Sequence, residues 1–247
     1  NAKNITNQGF VVGTDGVLLF GSGASEAAGA AVLQAIRSVT DKPVRWVVNT
    51  NARPAHWLGN AVVAGADTAI IATPAAVERM RPQAGAHGRL PTETVTERSL
   101  RQFGDITAEL IPLGTAAAPG DLALWLPKQR VLFAGDALSI KRYPATAESD
   151  LPHWIAALKA QLEPLEALHV LPGTGPLGTP GNLQNQRIYF EELWERVSKM
   201  KKENKPLSEV IENVRGGLGV YHNHYTDFAD VIDVSVADIY RQAGAAQ

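Results

Sequence analysis

The sequence contains no cysteine. That excludes disulfides, thiolate zinc sites and cysteine nucleophiles together, although it assigns no compartment. A charge excess is also missing: 23 basic residues against 25 acidic ones in 247 exclude the basic footprint of a nucleic-acid binder. No uninterrupted apolar run approaches the roughly 18 residues that a membrane-spanning helix needs. There is no G-x-S-x-G nucleophile elbow and no phosphate-binding loop, and Gly21-Ser22-Gly23-Ala24-Ser25-Glu26 fails a dinucleotide fingerprint at its third glycine. What is present is a chain 45% hydrophobic and only 19% charged, which can bury a core and is not disordered.

No Ser/Gly linker, charge block or tandem repeat divides the chain, so 1–247 reads as one domain, with 201–247 as a C-terminal helical and loop extension. Gly9–Gly13 and Val17–Phe20 flank Thr14-Asp15-Gly16, a hairpin signal. Ser25 offers a capping oxygen to a helix reaching Val39, where Thr40-Asp41-Lys42-Pro43 stops it. Short apolar runs at Val44–Asn49, Thr68–Ala72, Ile106–Leu113, Ala123–Leu126, Val131–Ala134 and Leu168–Leu171 read as strands. Two further helices are expected, one from Asp150 with Trp154, Ile155, Leu158 and Leu162 on one stripe, the other over Leu183–Lys202. Residues 81–105 and 203–230 are polar and read as surface excursions. Strands alternating with helices and hairpins imply a layered α/β fold with mixed sheets.

Four ordered segments carry a resemblance. Val47-Val48-Asn49-Thr50 leads into Asn51-Ala52-Arg53-Pro54-Ala55-His56-Trp57-Leu58-Gly59-Asn60; Leu113-Gly114-Thr115-Ala116-Ala117-Ala118-Pro119-Gly120-Asp121 follows; then Leu132-Phe133-Ala134-Gly135-Asp136 and Leu171-Pro172-Gly173-Thr174-Gly175-Pro176. In order and spacing this resembles the metallo-β-lactamase-fold hydrolases, with their H-x-H-x-D-H metal loop, G-x-A-H-T-x-G-D segment, strand ending in a metal-bridging aspartate, and P-G-H-G-P turn. The wording of Thr40–Arg45 is further similar to a branch associated with periplasmic quinoprotein oxidation systems. The resemblance implies a four-layer αββα sandwich with a cleft along one sheet edge, where relatives hold one or two zinc ions that activate water.

Against that pattern the ligand set is depleted. Asn51 and Arg53 stand where the first two histidines would be, Ala55 replaces the aspartate, Ala117 and Thr174 replace the other histidines, and Gly21 takes the place of a buttressing aspartate; only His56 and Asp136 match. Zinc normally takes four ligands, or three plus water, and Arg53 adds a fixed positive charge where a cation would sit. No cofactor is therefore expected, zinc included. A metal-free Asp136 in a cleft would be a costly unpaired carboxylate, so Arg53, or failing that protonated His56, is expected to pair with it.

The expected cleft comprises Asn51, Arg53, His56, Trp57, Ala117, Asp136 and Thr174, with His56 and Asp136 the residual catalytic candidates and the residual metal ligands. Bland roles stand beside these: a hydrogen-bonded loop histidine for His56, backbone bracing for Asp136, neutralisation of Asp136 for Arg53, a turn hydroxyl for Thr174. Trp57 either lines the cleft mouth or packs beneath it. The run around His222 and His224, with Asp227 and Asp230, has adequate metal-ligand chemistry, but its flanking glycines favour a surface loop. His153 and His169 read as structural. The leading expectation is a superfamily member without zinc-dependent hydrolysis, a pseudoenzyme that binds a small molecule or a protein partner. The alternatives are a hydrolase using Asp136 and His56 or unrevealed metal ligands, and a structural or regulatory module. Asn1 at the first position is compatible with a removed secretory signal and, with the quinoprotein resemblance, gives the expectation of a periplasmic or secreted, soluble protein.

Overall fold

The computed structural model describes residues 6–85 and 88–245. Strand β1 (Gly9–Val12) turns into β2 (Val17–Phe20) through the expected hairpin, where the Gly13 N–H donates to the Gly16 carbonyl at 2.9 Å. Helix α1 (Glu26–Arg37) starts where Ser25 caps it, its Oγ accepting from the Ala28 N–H at 3.1 Å. The chain continues through β3 (Val44–Val48), α2 (Pro54–Trp57), α3 (Asn60–Val63), β4 (Ala69–Ala72), α4 (Pro74–Met80), β5 (Glu93–Thr94), β6 (Ser99–Phe103), β7 (Ile106–Thr115), β8 (Pro119–Leu126) and β9 (Val131–Ser139). It closes with α5 (Leu151–Ala157), β10 (His169–Thr174), α6 (Pro180–Lys202), α7 (Leu207–Gly217) and α8 (Phe228–Ala245).

The strands form two five-stranded sheets, ordered β1-β2-β3-β4-β5 and β10-β9-β8-β7-β6. In each sheet some neighbours run parallel and some antiparallel. Side chains alternate across each strand, and the burial follows. Leu18, Phe20, Val48 and Ile71 from the first sheet meet Phe103, Leu110, Leu124 and Phe133 from the second. Val17, Leu19, Val47 and Ile70 point the other way, onto Ile36 of α1 and Val63 of α3. On the far face of the second sheet, Ile111, Leu132 and Val170 pack with Trp154, Phe190, Val214 and Ile239 of the later helices. The result is the αββα sandwich.

Two stretches differ from the sequence reading. Residues 81–105 are not a plain excursion: β5 and β6 lie within them, and Val95 and Phe103 are buried. They are edge strands of the two sheets; in β6 Leu100 and Gln102 face solvent while Ser99 and Arg101 are half-buried, so only Phe103 marks the core side. Residues 203–230 contain α7, whose Leu207, Val210, Ile211 and Val214 fall at helical spacing and pack into the core. The adjacent Gly216-Gly217 pair conceals that stripe in the sequence.

Candidate functional site

The ends of β3, β9 and β10 and the turn between β7 and β8 converge at one edge of the sandwich. After β3 the chain runs through Asn49, whose amide exchanges hydrogen bonds with the amide of Asn60 at 3.0 and 2.8 Å. This pair ties the two ends of the 50–59 loop together. Pro54 opens α2, and its ring disfavours a helical conformation at the residue before it; Arg53 is accordingly extended, with φ −64° and ψ 134°. Over the site passes Gly173 of β10, where a Cβ would lie 2.5 Å from Asp136 Oδ1. Only glycine fits that crossing.

Asp136, inside β9, is the hub. Arg53 Nη1 lies 2.9 Å from its Oδ2, and His56 Nε2 lies 2.9 Å from its Oδ1. Both side chains expected as partners are therefore in contact with it. Arg53 Nη2 donates to the Ala117 carbonyl at 2.7 Å, and Nε faces Glu148 at 3.5 Å. Asn51 is fully buried, and its Nδ2 donates to Asp136 Oδ2 at 3.1 Å and to Asp121 Oδ1 at 2.7 Å, while its Oδ1 accepts the Arg53 N–H at 3.0 Å. Asp121 Oδ2 accepts the Ala118 N–H at 2.8 Å. One amide thus bridges two carboxylates that share little solvent.

The electrostatics separate those carboxylates. Burial would raise the Asp136 pKa, but His56, Arg53 and the Asn51 amide outweigh it and hold the group well below the usual carboxylate range. Asp121 goes the other way: burial first, and the neighbouring Asp136 charge second, push it up to about 6 against the opposing Ala118 N–H, Asn51 and Arg53. Burial also works against the Arg53 charge, yet Asp136, Asp121 and Glu148 more than offset it and raise its pKa. Asp136 is an anion held by the Arg53 guanidinium, the His56 ring and the Asn51 amide.

Of the expected cleft residues, Arg53, His56, Asp136 and Thr174 line a cleft of about 530 Å³. Three lie behind it. Asn51 is spent on the carboxylates, Ala117 is buried and contributes its carbonyl, and Trp57 packs beneath the loop, fully buried, with Nε1 donating to the Ala52 carbonyl at 3.1 Å. Trp57 does not line the mouth: its ring belongs to a small cluster with Ala76, Val77 and Met80. Thr174 Oγ1 lies 2.5 Å from Ser139 Oγ, whose hydroxyl donates to the Arg142 carbonyl at 2.9 Å. The sequence reading missed Asp121 and Glu148. Asp121 stands inside a quoted motif, but nothing in its neighbours signals that the Asn51 amide reaches it.

The residues do not fit a zinc centre. His56 and Asp136 are two donors where three or four are needed. Ala55 and Ala117 have no donor atoms, Thr174 is engaged with Ser139, and the Asn51 amide nitrogen points at carboxylates. Among the described residues no group of three His, Cys, Asp or Glu side chains converges on a point. Of the C-terminal cluster, His224 and Asp230 are exposed and Asp227 accepts the Tyr143 N–H at 2.7 Å; the His222 side chain lies outside the described residues. His153 Nε2 contacts the Leu113 carbonyl at 2.8 Å, a structural tie.

The fold and this loop arrangement agree with sequence comparison. The profile of the metallo-beta-lactamase superfamily matches residues 2–182, and the chain belongs to that superfamily. No curated protein matches it significantly. Among solved structures it is similar to the metallo-beta-lactamase from Pontibacter korlensis (TM-score 0.66, 19% identity, covering 75% of this chain and 93% of that one). It is also similar to the metallo-beta-lactamase FIM-1 from Pseudomonas aeruginosa in its mono-zinc form (TM-score 0.67, 20% identity, covering 76% and 84%). The stereoselective inverting sec-alkylsulfatase Pisa1 from Pseudomonas sp. aligns over 96% of this chain with a TM-score of 0.79 at 13% identity, and the alignment spans 47% of the sulfatase. At these identities the likeness is one of fold. No helix among the described residues is long and apolar enough to cross a membrane.

Proposed function

We propose that this superfamily member has exchanged its metal centre for an internal salt-bridge network, and that it binds a small molecule in the cleft without zinc-dependent hydrolysis. The observation that carries this reading is the 2.9 Å contact between Arg53 Nη1 and Asp136 Oδ2. A guanidinium stays protonated at every working pH, so it satisfies the Asp136 charge permanently and repels a divalent cation from the same carboxylate. What is left to the cleft is binding. Its volume of about 530 Å³ is in the range that small-molecule sites occupy.

The test is metal content after loading. Purified protein incubated with excess zinc and then gel-filtered is expected to retain far less than one ion per chain, and any slow ester or lactam cleavage is expected to be indifferent to chelator. One tightly held zinc per chain with chelator-sensitive turnover would overturn the proposal. We further propose a periplasmic or secreted location, supported by the resemblance of the Thr40–Arg45 segment to quinoprotein-associated relatives; cell fractionation with an antibody to the chain checks it.

A further inference from the structure

The cleft matches its charges but not its hydrogen bonds. Its floor is Arg53, His56 and Asp136, and its wall is the turn after β9, where Arg142 Nε pairs with Asp227 Oδ2 at 3.2 Å and Asp227 Oδ1 accepts the Tyr143 N–H at 2.7 Å. Each arginine lies against a carboxylate, so neither brings an unmatched charge. The rim is different. There the N-terminal segment, through Asn7, meets the end of β10 at Thr174 and Gly175.

Asn7 spends every donor it has on that turn. Its backbone N–H donates to the Gly173 carbonyl at 2.7 Å, and its Nδ2 donates to the Pro172 and Gly175 carbonyls at 3.0 and 2.8 Å. Carbonyls only accept, so the orientation of the amide is fixed and Oδ1 is the end left over. No donor among the described residues reaches it. The neighbouring side chains are occupied: Thr6 Oγ1 donates to the Ala55 carbonyl at 2.9 Å, and Gln8 Nε2 donates to the Thr6 carbonyl and Oγ1 at 2.8 and 3.0 Å. Thr174 reaches the same state by another route. Ser139 Oγ has a single proton and donates it to the Arg142 carbonyl at 2.9 Å. In its 2.5 Å contact with Thr174 Oγ1 it can then only accept, so Thr174 gives up its own proton and keeps its lone pairs.

We propose that Asn7 Oδ1 and Thr174 Oγ1 are a paired acceptor for the hydrogen-bond donors of a neutral ligand, the hydroxyls of an alcohol or the N–H groups of a primary amide, whose apolar body rests on Leu138, Tyr143, Pro144 and Ala145. This deepens the proposed function and rests on its reading of the cleft as a small-molecule site. The two acceptors are neighbours, because Asn7 bonds the residues on both sides of Thr174. A ligand of the same shape without O–H or N–H would bring lone pairs against lone pairs, and a site built to pair with a donor rejects such an analogue.

Calorimetric titration of the purified protein with phenylethylene glycol and with phenylacetamide, each beside its fully methylated ether or amide, tests the assignment. At least one donor probe is expected to bind about tenfold tighter than its methylated counterpart, and the larger ratio identifies the donor group. Thr174→Val and Asn7→Ala should each lower that ratio severalfold, whereas Thr174→Ser should keep it. The ratio is taken within one protein, so a loosened rim weakens both probes and leaves it in place. A ratio near one in the parent, or an undiminished ratio in either Thr174→Val or Asn7→Ala, as simple steric rejection of the added methyl groups would give, would overturn the paired acceptor and leave the cleft reading standing. Failure of all four probes to bind would remove the cleft reading, and this assignment with it.

Discussion

The floor and the wall of the cleft solve opposite problems with the same side chain. On the floor, Arg53 is 20% exposed and Asp136 11%, and their polar atoms meet partners inside the protein. On the wall, Arg142 is half exposed and, among the described residues, pairs with Asp227. The floor inherits its shape from a superfamily whose members put a metal there, and once the ligands are gone its residual carboxylate must be satisfied from within. The wall carries no such debt, and its arginine stays half exposed beside Asp227. A closed network stabilises a structure; an open one leaves its polar groups to solvent.

The strongest way to break this contrast is to truncate each arginine and compare stabilities. Arg53→Ala leaves Asp136 with His56 and Asn51 but without its permanent counter-charge, beside the second carboxylate of Asp121. The expected loss is about 3 kcal/mol, at the lower end for a buried pair because both groups retain some exposure. Arg142→Ala, by contrast, removes an exposed ion pair and should cost no more than about 0.5 kcal/mol. Urea midpoints at neutral pH measure both. Equal costs would mean that the floor is no more closed than the wall.

A second test reads the two floor carboxylates by pH. Asp136 is depressed in the folded state, so its contribution to stability is present above the ordinary aspartate pKa and fades only in strong acid. Asp121 is raised to about 6 from an ordinary 3.8. Between those values the folded protein holds a proton that the unfolded chain has released, so the Asp121 contribution to stability falls as pH rises across that window and is constant above it. Asp121→Asn should remove this falling component from the stability profile between pH 4 and about 6.5. A profile in that window unchanged by the substitution would show that Asn51 and Ala118 hold Asp121 ionised throughout.

The wall can be loosened separately. Tyr143 is buried, with its hydroxyl 2.6 Å from Tyr189 and 3.0 Å from Ser235 of α8. Ser235→Ala is expected to cost about 1 kcal/mol and to speed amide exchange in residues 140–146 without touching exchange in 50–56. Equal acceleration in both segments would mean that floor and wall open together.

How much of this was legible follows from distance along the chain. The hairpin at Asp15-Gly16, the Ser25 cap and the helix beginning at Asp150 are written locally, and the structure has them. The stripe of α7 was written too, but the glycines that end it drew attention away. On the floor, motif order placed Arg53 near Asp136 because both sit at fixed points of a recognisable fold. The same order could not separate lining residues from buried ones, since whether the Trp57 ring points into the cleft or beneath it depends on packing against α4. The wall was illegible: Tyr143 and Asp227 are 84 residues apart, and nothing near Arg142 indicates that a C-terminal turn returns to hold it.

The smallest effect probes a flaw behind the floor. Thr50 is buried, its carbonyl accepts the Leu122 N–H at 2.7 Å, and its Oγ1 has no hydrogen-bond partner. That hydroxyl lies where a Cβ on Gly135 would approach to 2.1 Å, so the strand carrying Asp136 passes directly over it. A buried hydroxyl without a partner is destabilising, and replacing it with a methyl group of similar size removes that cost while the backbone bond to Leu122 stays. Thr50→Val is therefore expected to raise stability by up to about 1 kcal/mol, measured as an increase in the urea midpoint. A loss instead would mean that the Thr50 hydroxyl is engaged after all, through water or the Asp136 network.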